Sequence, residues 1–309
     1  MATGRALRLQ ALVSFLALGG VIWWFSRQDM PALPAFEDAA GPLAAAIGLY
    51  LFATLLRGER WHRLVGRGTR ADAYALTTVG YMGNNALPAR AGDILKAMLT
   101  AHHGGVARRQ AFGTLVAERL LDAIALGLVF AVVVAAGDLP LGLSGATVAL
   151  LAGVLALAAA AVLRLAPRAR GLLAALLRPS RDLIGARGAA LLALSALLWF
   201  VEGAVYAVLG HVAGVPLSLS DGMYVMALAN VAAMIPAAPG YIGTFDAAVV
   251  VGVRLAGAGA SAVALPYVVL VRFVLFVPIT LVGLVLLLAR YGGIATARAA
   301  VRTRPVKAT

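Results

Sequence analysis

Six apolar runs long enough to cross a bilayer punctuate the chain, at about 8–26, 40–56, 111–136, 142–163, 189–210 and 262–289. None alternates with period two, so the pattern predicts helices, not the strands of a barrel. Two further stretches, 72–104 and 221–260, are broken in the middle by Pro and Gly: Asn84-Asn85-Ala-Leu-Pro88-Ala-Arg90-Ala-Gly92-Asp93 and Ile-Pro236-Ala-Ala-Pro239-Gly240-Tyr241-Ile-Gly243-Thr244-Phe245-Asp246. A helical span needs about 20 residues for roughly 30 Å of hydrocarbon. The pattern therefore predicts an all-α integral membrane protein with six to eight transmembrane helices plus two broken Pro/Gly hairpins. The first run follows Arg5 and Arg8, carries Trp23 and Trp24 at its end and lacks a small-residue cleavage site, so it reads as a retained anchor.

Composition agrees with that reading. Of 309 residues, 62% are hydrophobic and 13% charged, against about 45–50% and about a quarter in a soluble domain. There is too little polar surface to coat a water-soluble globule. The chain has no cysteine, which excludes disulfides, thiolate metal sites and Cys nucleophiles. A formal charge of +13 raises nucleic acid as a partner, but that requires basic residues gathered on a polar surface. Here they flank apolar runs, where orientation and anionic lipid account for them.

Loop charge then orients the chain, because Lys and Arg resist translocation. The 57–70 loop (Arg57, Arg60, Arg63, Arg67, Arg70), the 164–187 loop (Arg164 to Arg187) and the 291–309 tail belong in the cytoplasm, while acidic 27–38, 137–141 and 211–221 face outward. Both termini are expected in the cytoplasm of a bacterium, at its inner membrane. Each hairpin must return to the side it came from, either as a re-entrant loop or as a pair of short spans. The 164–187 segment reads equally as an interfacial amphipathic helix or a plain loop.

Taken in order, the two halves match: span, span, broken hairpin, span, with opposite orientation, one repeat over about 8–136 and the other over about 142–290 of a single domain. Asp93 and Asp246, which close the breaks, are each followed 26 residues later by an arginine in the next apolar run, Arg119 and Arg272. Inverted repeats with helices interrupted in corresponding places are a transporter signature, with the substrate near the midplane. The plain alternative is that Pro and Gly only kink ordinary spans.

Charge inside the apolar runs supplies the candidate chemistry. Glu118, Arg119 and Asp122 lie within one run, the two carboxylates on one helix face. Glu202 and Arg272 lie in later runs, and Arg90, Asp93, Lys96 and Asp246 at the breaks. Each ionisable group at a helix centre costs about 2.5–3.5 kcal/mol, so pairing or water must compensate. One reading is internal salt bridging, for example Glu118 or Asp122 with Arg272. The other gives Arg90, Lys96, Arg119 and Arg272 an anionic lipid headgroup, which arginine grips bidentately, and leaves Asp93, Glu118, Asp122, Glu202 and Asp246 to balance charge or couple protons. Of the 26 basic residues, seven sit in or beside the core: these four with Arg108, Arg109 and Arg254. Adjacent His102 and His103 do not share a helix face, and no ligand cluster supports a metal. No P-loop, G-x-S-x-G or H-E-x-x-H is present, so no cofactor and no enzymatic activity are expected.

The runs Pro88-Ala-Arg90-Ala-Gly92-Asp93, Glu118-Arg119-Leu-Leu-Asp122 and Pro236-Ala-Ala-Pro239-Gly240-Tyr-Ile-Gly243-Thr244-Phe245 resemble, in order and over about 40–290, the lysylphosphatidylglycerol synthase transmembrane-region family. They are similar to the flippase domain of the bacterial multiple-peptide-resistance factors. The resemblance implies lipid translocation. In that family many members carry Glu where this chain has Asp246. Only residues 291–309 follow the last span, so the synthase half is expected to be absent. The leading expectation is a flippase or scramblase for an anionic or aminoacylated phospholipid or a polyprenyl-linked lipid, alone, as a homo-oligomer or with a partner enzyme. Its rivals are a non-transporting module that anchors or assists a lipid-modifying or glycosyl-transferring enzyme, and a membrane enzyme acting on a lipid-linked substrate.

Overall fold

A computed structural model describes residues 36–87, 90–135, 185–233, 239–257 and 261–293. The runs at 8–26 and 142–163, most of the 164–187 segment, Pro88, Pro236 and the tail beyond 293 lie outside the described residues. Within them every regular element is a helix and there is no strand: α1 (Phe36–Val65), α2 (Arg70–Ala86), α3 (Ala91–His103), α4 (Arg108–Ala135), α5 (Ala186–Val212), α6 (Leu219–Ala233), a 3-10 turn (Pro239–Tyr241), α7 (Thr244–Leu255) and α8 (Ser261–Tyr291).

Three helices are long and apolar enough to cross a membrane, over Glu37–Val65, Ala186–Val212 and Leu265–Tyr291. α4 has comparable length, 28 residues, but carries Glu118, Arg119 and Asp122 in its interior. One boundary differs from expectation. The run at 40–56 is only the middle of α1, which continues through Arg57 and Arg60 to Val65, because nothing in that stretch stops a helix until Gly66 turns left-handed at φ 69°.

The breaks have local causes. α2 starts at Thr69, whose side chain accepts from the Asp72 N–H at 3.1 Å. It stops at Leu87, held extended at φ −112°, ψ 149°, as the residue before a proline must be. α3 then starts from Arg90 in the left-handed region, φ 56°. In the second half Gly240 and Tyr241 are left-handed at φ 63° and φ 56°, and Gly243, φ 91°, precedes α7. In both breaks the described residues that lead into the second helix include positive-φ backbone, at Arg90 and at Gly240, Tyr241 and Gly243.

Packing repeats between the halves. α1 lies against α5; α2 against α1, α3 and α8; α6 against α5, α7 and α4; α3 packs on α4 and α7 on α8; α4 also meets α1 and α5, as α8 meets α5 and α1. Exchange α1–α4 for α5–α8 and every one of these pairs finds its counterpart. Small residues permit the closest approaches. A Cβ on Gly92 of α3 would stand 2.0 Å from the Gly80 carbonyl oxygen and 2.2 Å from the Asn84 nitrogen, both on α2.

Among the described residues, long apolar stripes lie exposed while several charged side chains are buried. Leu120, Ile124, Leu128 and Val132 form an exposed stripe along α4, and Phe273, Val277, Leu281 and Val285 form another along α8. Glu118, Asp122, Glu202, Arg57, Arg60 and Lys96 are buried. Such a surface suits hydrocarbon as solvent, so the chain is an integral membrane protein.

Candidate functional site

The interior charges form one network where α1, α3, α4 and α5 converge. Arg60 of α1, 1% exposed, donates from Nη1 to Asp122 at 2.7 Å and to Ser195 Oγ of α5 at 2.9 Å, and from Nη2 to Glu118 at 3.4 Å. Lys96 of α3 donates to the other oxygen of Glu118 at 2.6 Å and lies 3.9 Å from the centre of the Trp61 ring. Arg119 donates from Nη1 to Asp122 at 3.0 Å and from Nη2 to Asp93 at 3.1 Å. Glu118 and Asp122, one helical turn apart, therefore share three cations. The pairing that burial requires is present.

Asp93 is fixed further. Asn84 donates to it from Nδ2 at 3.0 Å and accepts its backbone N–H at 3.1 Å, while Arg90 Nε stands 3.4 Å from its Oδ2. The carboxylate sits in the first turn of α3, where the helix dipole favours it.

A second ion pair joins the two halves directly. Arg57 of α1 and Glu202 of α5, 2% and 3% exposed, pair through Nη2 and Oε2, and Asn230 of α6 donates to the other Glu202 oxygen at 3.1 Å. The Arg57 guanidinium carbon lies 5.1 Å from the Tyr81 ring centre and 5.5 Å from that of Trp199.

The third pair sits at the second break. Arg272 of α8 pairs through Nε and Nη2 with Asp246, Nη2 at 2.8 Å, and donates from Nη1 to the Gly240 carbonyl at 3.1 Å. Asp246 accepts the Gly243 N–H at 2.9 Å, and Thr244 Oγ1 donates to the Tyr241 carbonyl at 3.3 Å. Arg272 is 4.9 Å from the Phe276 ring centre and 5.5 Å from that of Phe245.

The two breaks touch. Arg90 Nη1 donates to the Ala233 carbonyl at 3.3 Å, its guanidinium lies 5.8 Å from the Tyr241 ring, and the end of α2 packs on the Pro239–Tyr241 turn. Between them is a cavity of about 70 Å³ walled by Arg57, Tyr81, Arg90, Arg119, Trp199 and Glu202 among others. Beside it a groove of about 320 Å³ runs along Arg272, Val277 and Leu281. Asn85 and Phe276 belong to both walls. Asn85 Nδ2 donates to Thr280 Oγ1 at 2.9 Å, tying the end of α2 to α8.

Several sequence expectations change here. Arg57 and Arg60 are not cytoplasmic loop residues: they lie in a continuing helix, facing acids of α4 and α5. Glu118 and Asp122 pair with Arg60, Lys96 and Arg119, not with Arg272, whose partner is Asp246. Lys96, expected to face a headgroup, is 1% exposed and sealed between Glu118 and Trp61. Arg272 lies in the groove, whereas Arg90 and Arg119 wall the cavity. Among the described residues no three His, Cys, Asp or Glu form a metal-holding group.

Six cations (Arg57, Arg60, Arg90, Lys96, Arg119, Arg272) meet five carboxylates (Asp93, Glu118, Asp122, Glu202, Asp246) in these three assemblies. Among the described residues these three assemblies thus hold one more cation than carboxylates, a near balance of charge that tolerates burial. No curated protein matches the chain. The family model described as the lysylphosphatidylglycerol synthase TM region matches residues 10–283. That span takes in both hairpin breaks and every charged residue of the three assemblies, and the chain belongs to the lysylphosphatidylglycerol synthase TM region family.

Proposed function

We propose that the chain is a flippase or scramblase that carries a lipid with an anionic, aminoacylated or polyprenyl-linked phosphate headgroup across the cytoplasmic membrane of a bacterium. Its work is translocation, without bond chemistry. The observation that carries the reading is the meeting of two broken hairpins around an arginine-walled cavity, next to a groove lined by exposed apolar side chains. Arg90 and Arg119 meet the headgroup in the cavity and Arg272 meets it in the groove. Asp93, Glu118, Asp122, Glu202 and Asp246 balance these charges, and acyl chains stay among Val277, Leu281 and their neighbours. Irregular backbone at membrane depth is tolerated where it lines such a space.

The two halves form an inverted repeat on this reading. The exchange of packed pairs between α1–α4 and α5–α8 supports it, as does the recurrence of an Asp–Arg pair 26 residues apart beside each break. Both termini are then cytoplasmic. Because the native chain has no cysteine, single cysteines test the orientation directly. Pro216→Cys should react with an impermeant maleimide in intact cells, and Arg67→Cys only after permeabilisation; the reverse pattern inverts the topology.

The near-complete pairing of the interior cations favours a second reading, a non-transporting module that assists a lipid-modifying or glycosyl-transferring enzyme. Liposomes containing the protein and headgroup-labelled phosphatidylglycerol, lysyl-phosphatidylglycerol or polyprenyl phosphate separate the two. Transport predicts movement between leaflets above the protein-free rate for at least one lipid. No acceleration for any of the three sinks the first reading.

A further inference from the structure

We infer that the cavity between the hairpin breaks is a binding site for a single phosphate-type oxyanion, held by Arg57 and Trp199. The inference deepens the proposed function, on which its biological meaning rests, but the site stands on separate observations. Arg57 is 2% exposed and spends only Nη2 on Glu202; its buried Nε and Nη1 have no partner. Trp199 is 6% exposed and its buried Nε1 has no partner either. Both residues wall the same cavity. A buried donor left without an acceptor bears its full desolvation cost, and native proteins leave few of them.

The unused groups are all donors. Glu202, the carboxylate in this wall, is engaged at both oxygens, by Arg57 and by Asn230. What is missing is therefore an acceptor. Water could supply one, and the space of about 70 Å³ suits about two waters at roughly 30 Å³ each. Charge argues for an anion instead. Arg57, Arg90 and Arg119 wall the cavity beside a single carboxylate, Glu202. Asp93 and Asp122 stand behind Arg119, and Asp122 and Glu118 are shared with Arg60 and Lys96, so the cations around the site exceed the acids by one. The guanidinium of Arg57, placed near the Tyr81 and Trp199 rings, is a fixed fork suited to an oxyanion. The cavity and the groove share a wall at Asn85 and Phe276, which sets the headgroup space directly beside the space for acyl chains. A phosphodiester with its acyl chains in the groove and a free phosphate ion present the same chemistry to these donors.

The test uses the full chain in maltoside micelles, which contain no phosphate, titrated calorimetrically with dihexanoyl phosphatidylglycerol and separately with inorganic phosphate. Trp199→Phe keeps the ring and removes the N–H; it should weaken binding about 10-fold, the scale of a hydrogen bond to a charged group. Arg57→Gln combined with Glu202→Gln removes both charges together, so no unpaired carboxylate is left to unfold the protein, and should weaken binding by about 10-fold or more. Arg290→Gln, at an exposed pair with Asp72, should bind as the parent does. Binding of the short-chain lipid alone identifies a lipid phosphodiester; binding of inorganic phosphate with the same residue dependence identifies the free ion. Either result supports the site. No binding of either probe, or equal affinity across folded variants, overturns it and leaves the cavity to water. If binding depends on these residues while liposomes show no lipid movement, the site stands and the transport reading falls. If lipid moves while binding is the same in every variant, transport stands and the site falls.

Discussion

Arg119 donates to Asp93 at 3.1 Å across 26 residues of chain, and Arg272 pairs with Asp246 across the same interval. In each case the aspartate occupies the first turn of a helix that begins at a left-handed residue, Arg90 or Gly243. A carboxylate there is favoured by the helix dipole, and the arginine from the following long helix fixes how the broken hairpin seats on its neighbour. The pair acts as a clamp at each break.

The clamps differ in what surrounds them, which gives the first prediction. Asp246 meets Arg272 and the Gly243 N–H, whereas Asp93 also holds Asn84 twice and stands near Arg90. Asp246→Asn should cost about 1.5–3 kcal/mol, the worth of a charged hydrogen bond, and Asp93→Asn more. Thermal unfolding in detergent measures both; equal shifts would mean that the additional contacts of Asp93 contribute nothing.

Arg60 and Arg63 lie one turn apart on α1 and should behave oppositely. Arg60 is buried between Glu118 and Asp122, while Arg63 pairs with Glu59 on the surface. Arg60→Met strips one of three cations from two buried carboxylates and should cost about 3–5 kcal/mol. Arg63→Met should cost no more than about 1 kcal/mol. Arg60→Lys should also be destabilised, since a lysine cannot reproduce the fork that reaches Asp122, Glu118 and Ser195 together. Comparable melting temperatures for the Met variants would argue against a buried network.

The legibility of this network in the sequence was uneven for a physical reason. Asp93 and Arg119, like Asp246 and Arg272, could be matched by spacing because a break and the next span recur in each half. Arg57 and Arg60 follow an apolar run directly, and a charge rule reads such arginines as a cytoplasmic flank. Their acidic partners lie 145, 62 and 58 residues away, so no local pattern pairs them. The available signal was the lack of any helix stop between the apolar run and Gly66. Trp199 and Tyr81 look like ordinary apolar-helix residues in sequence; only packing brings them around Arg57. The helical class and both breaks were visible because hydropathy and Pro/Gly placement are local properties.

Close helix contact at the first break rests on Gly92. A methyl group there would stand 2.0 Å from the Gly80 oxygen and 2.2 Å from the Asn84 nitrogen, and both are backbone atoms that cannot step aside as a side chain would. Gly92→Ala should lose about 1–3 kcal/mol or more, with lower yield of folded protein. Gly48→Ala, which meets nothing within 4 Å, should be neutral or slightly stabilising through helix propensity. Size-exclusion profiles and unfolding curves for the two variants distinguish a tight crossing at Gly92 from a general intolerance of added bulk.

The partition between cavity and groove makes the last prediction, because stability and rate should move independently there. Asn85 donates to Thr280 Oγ1 at 2.9 Å, and Phe276 stands in both walls. Thr280→Val keeps the shape of the side chain but removes this acceptor, at a cost of about 0.5–1.5 kcal/mol for a neutral hydrogen bond. If lipid headgroups pass between the two spaces at this point, loosening the end of α2 from α8 should raise the rate of lipid movement in liposomes despite the lower stability. Phe276→Trp, which adds bulk to the same wall, should slow movement without loss of folded protein. A Thr280→Val protein that is less stable and slower, together with an unaffected Phe276→Trp, would mean that Asn85 and Thr280 merely brace the hairpin and that the headgroup travels by another route.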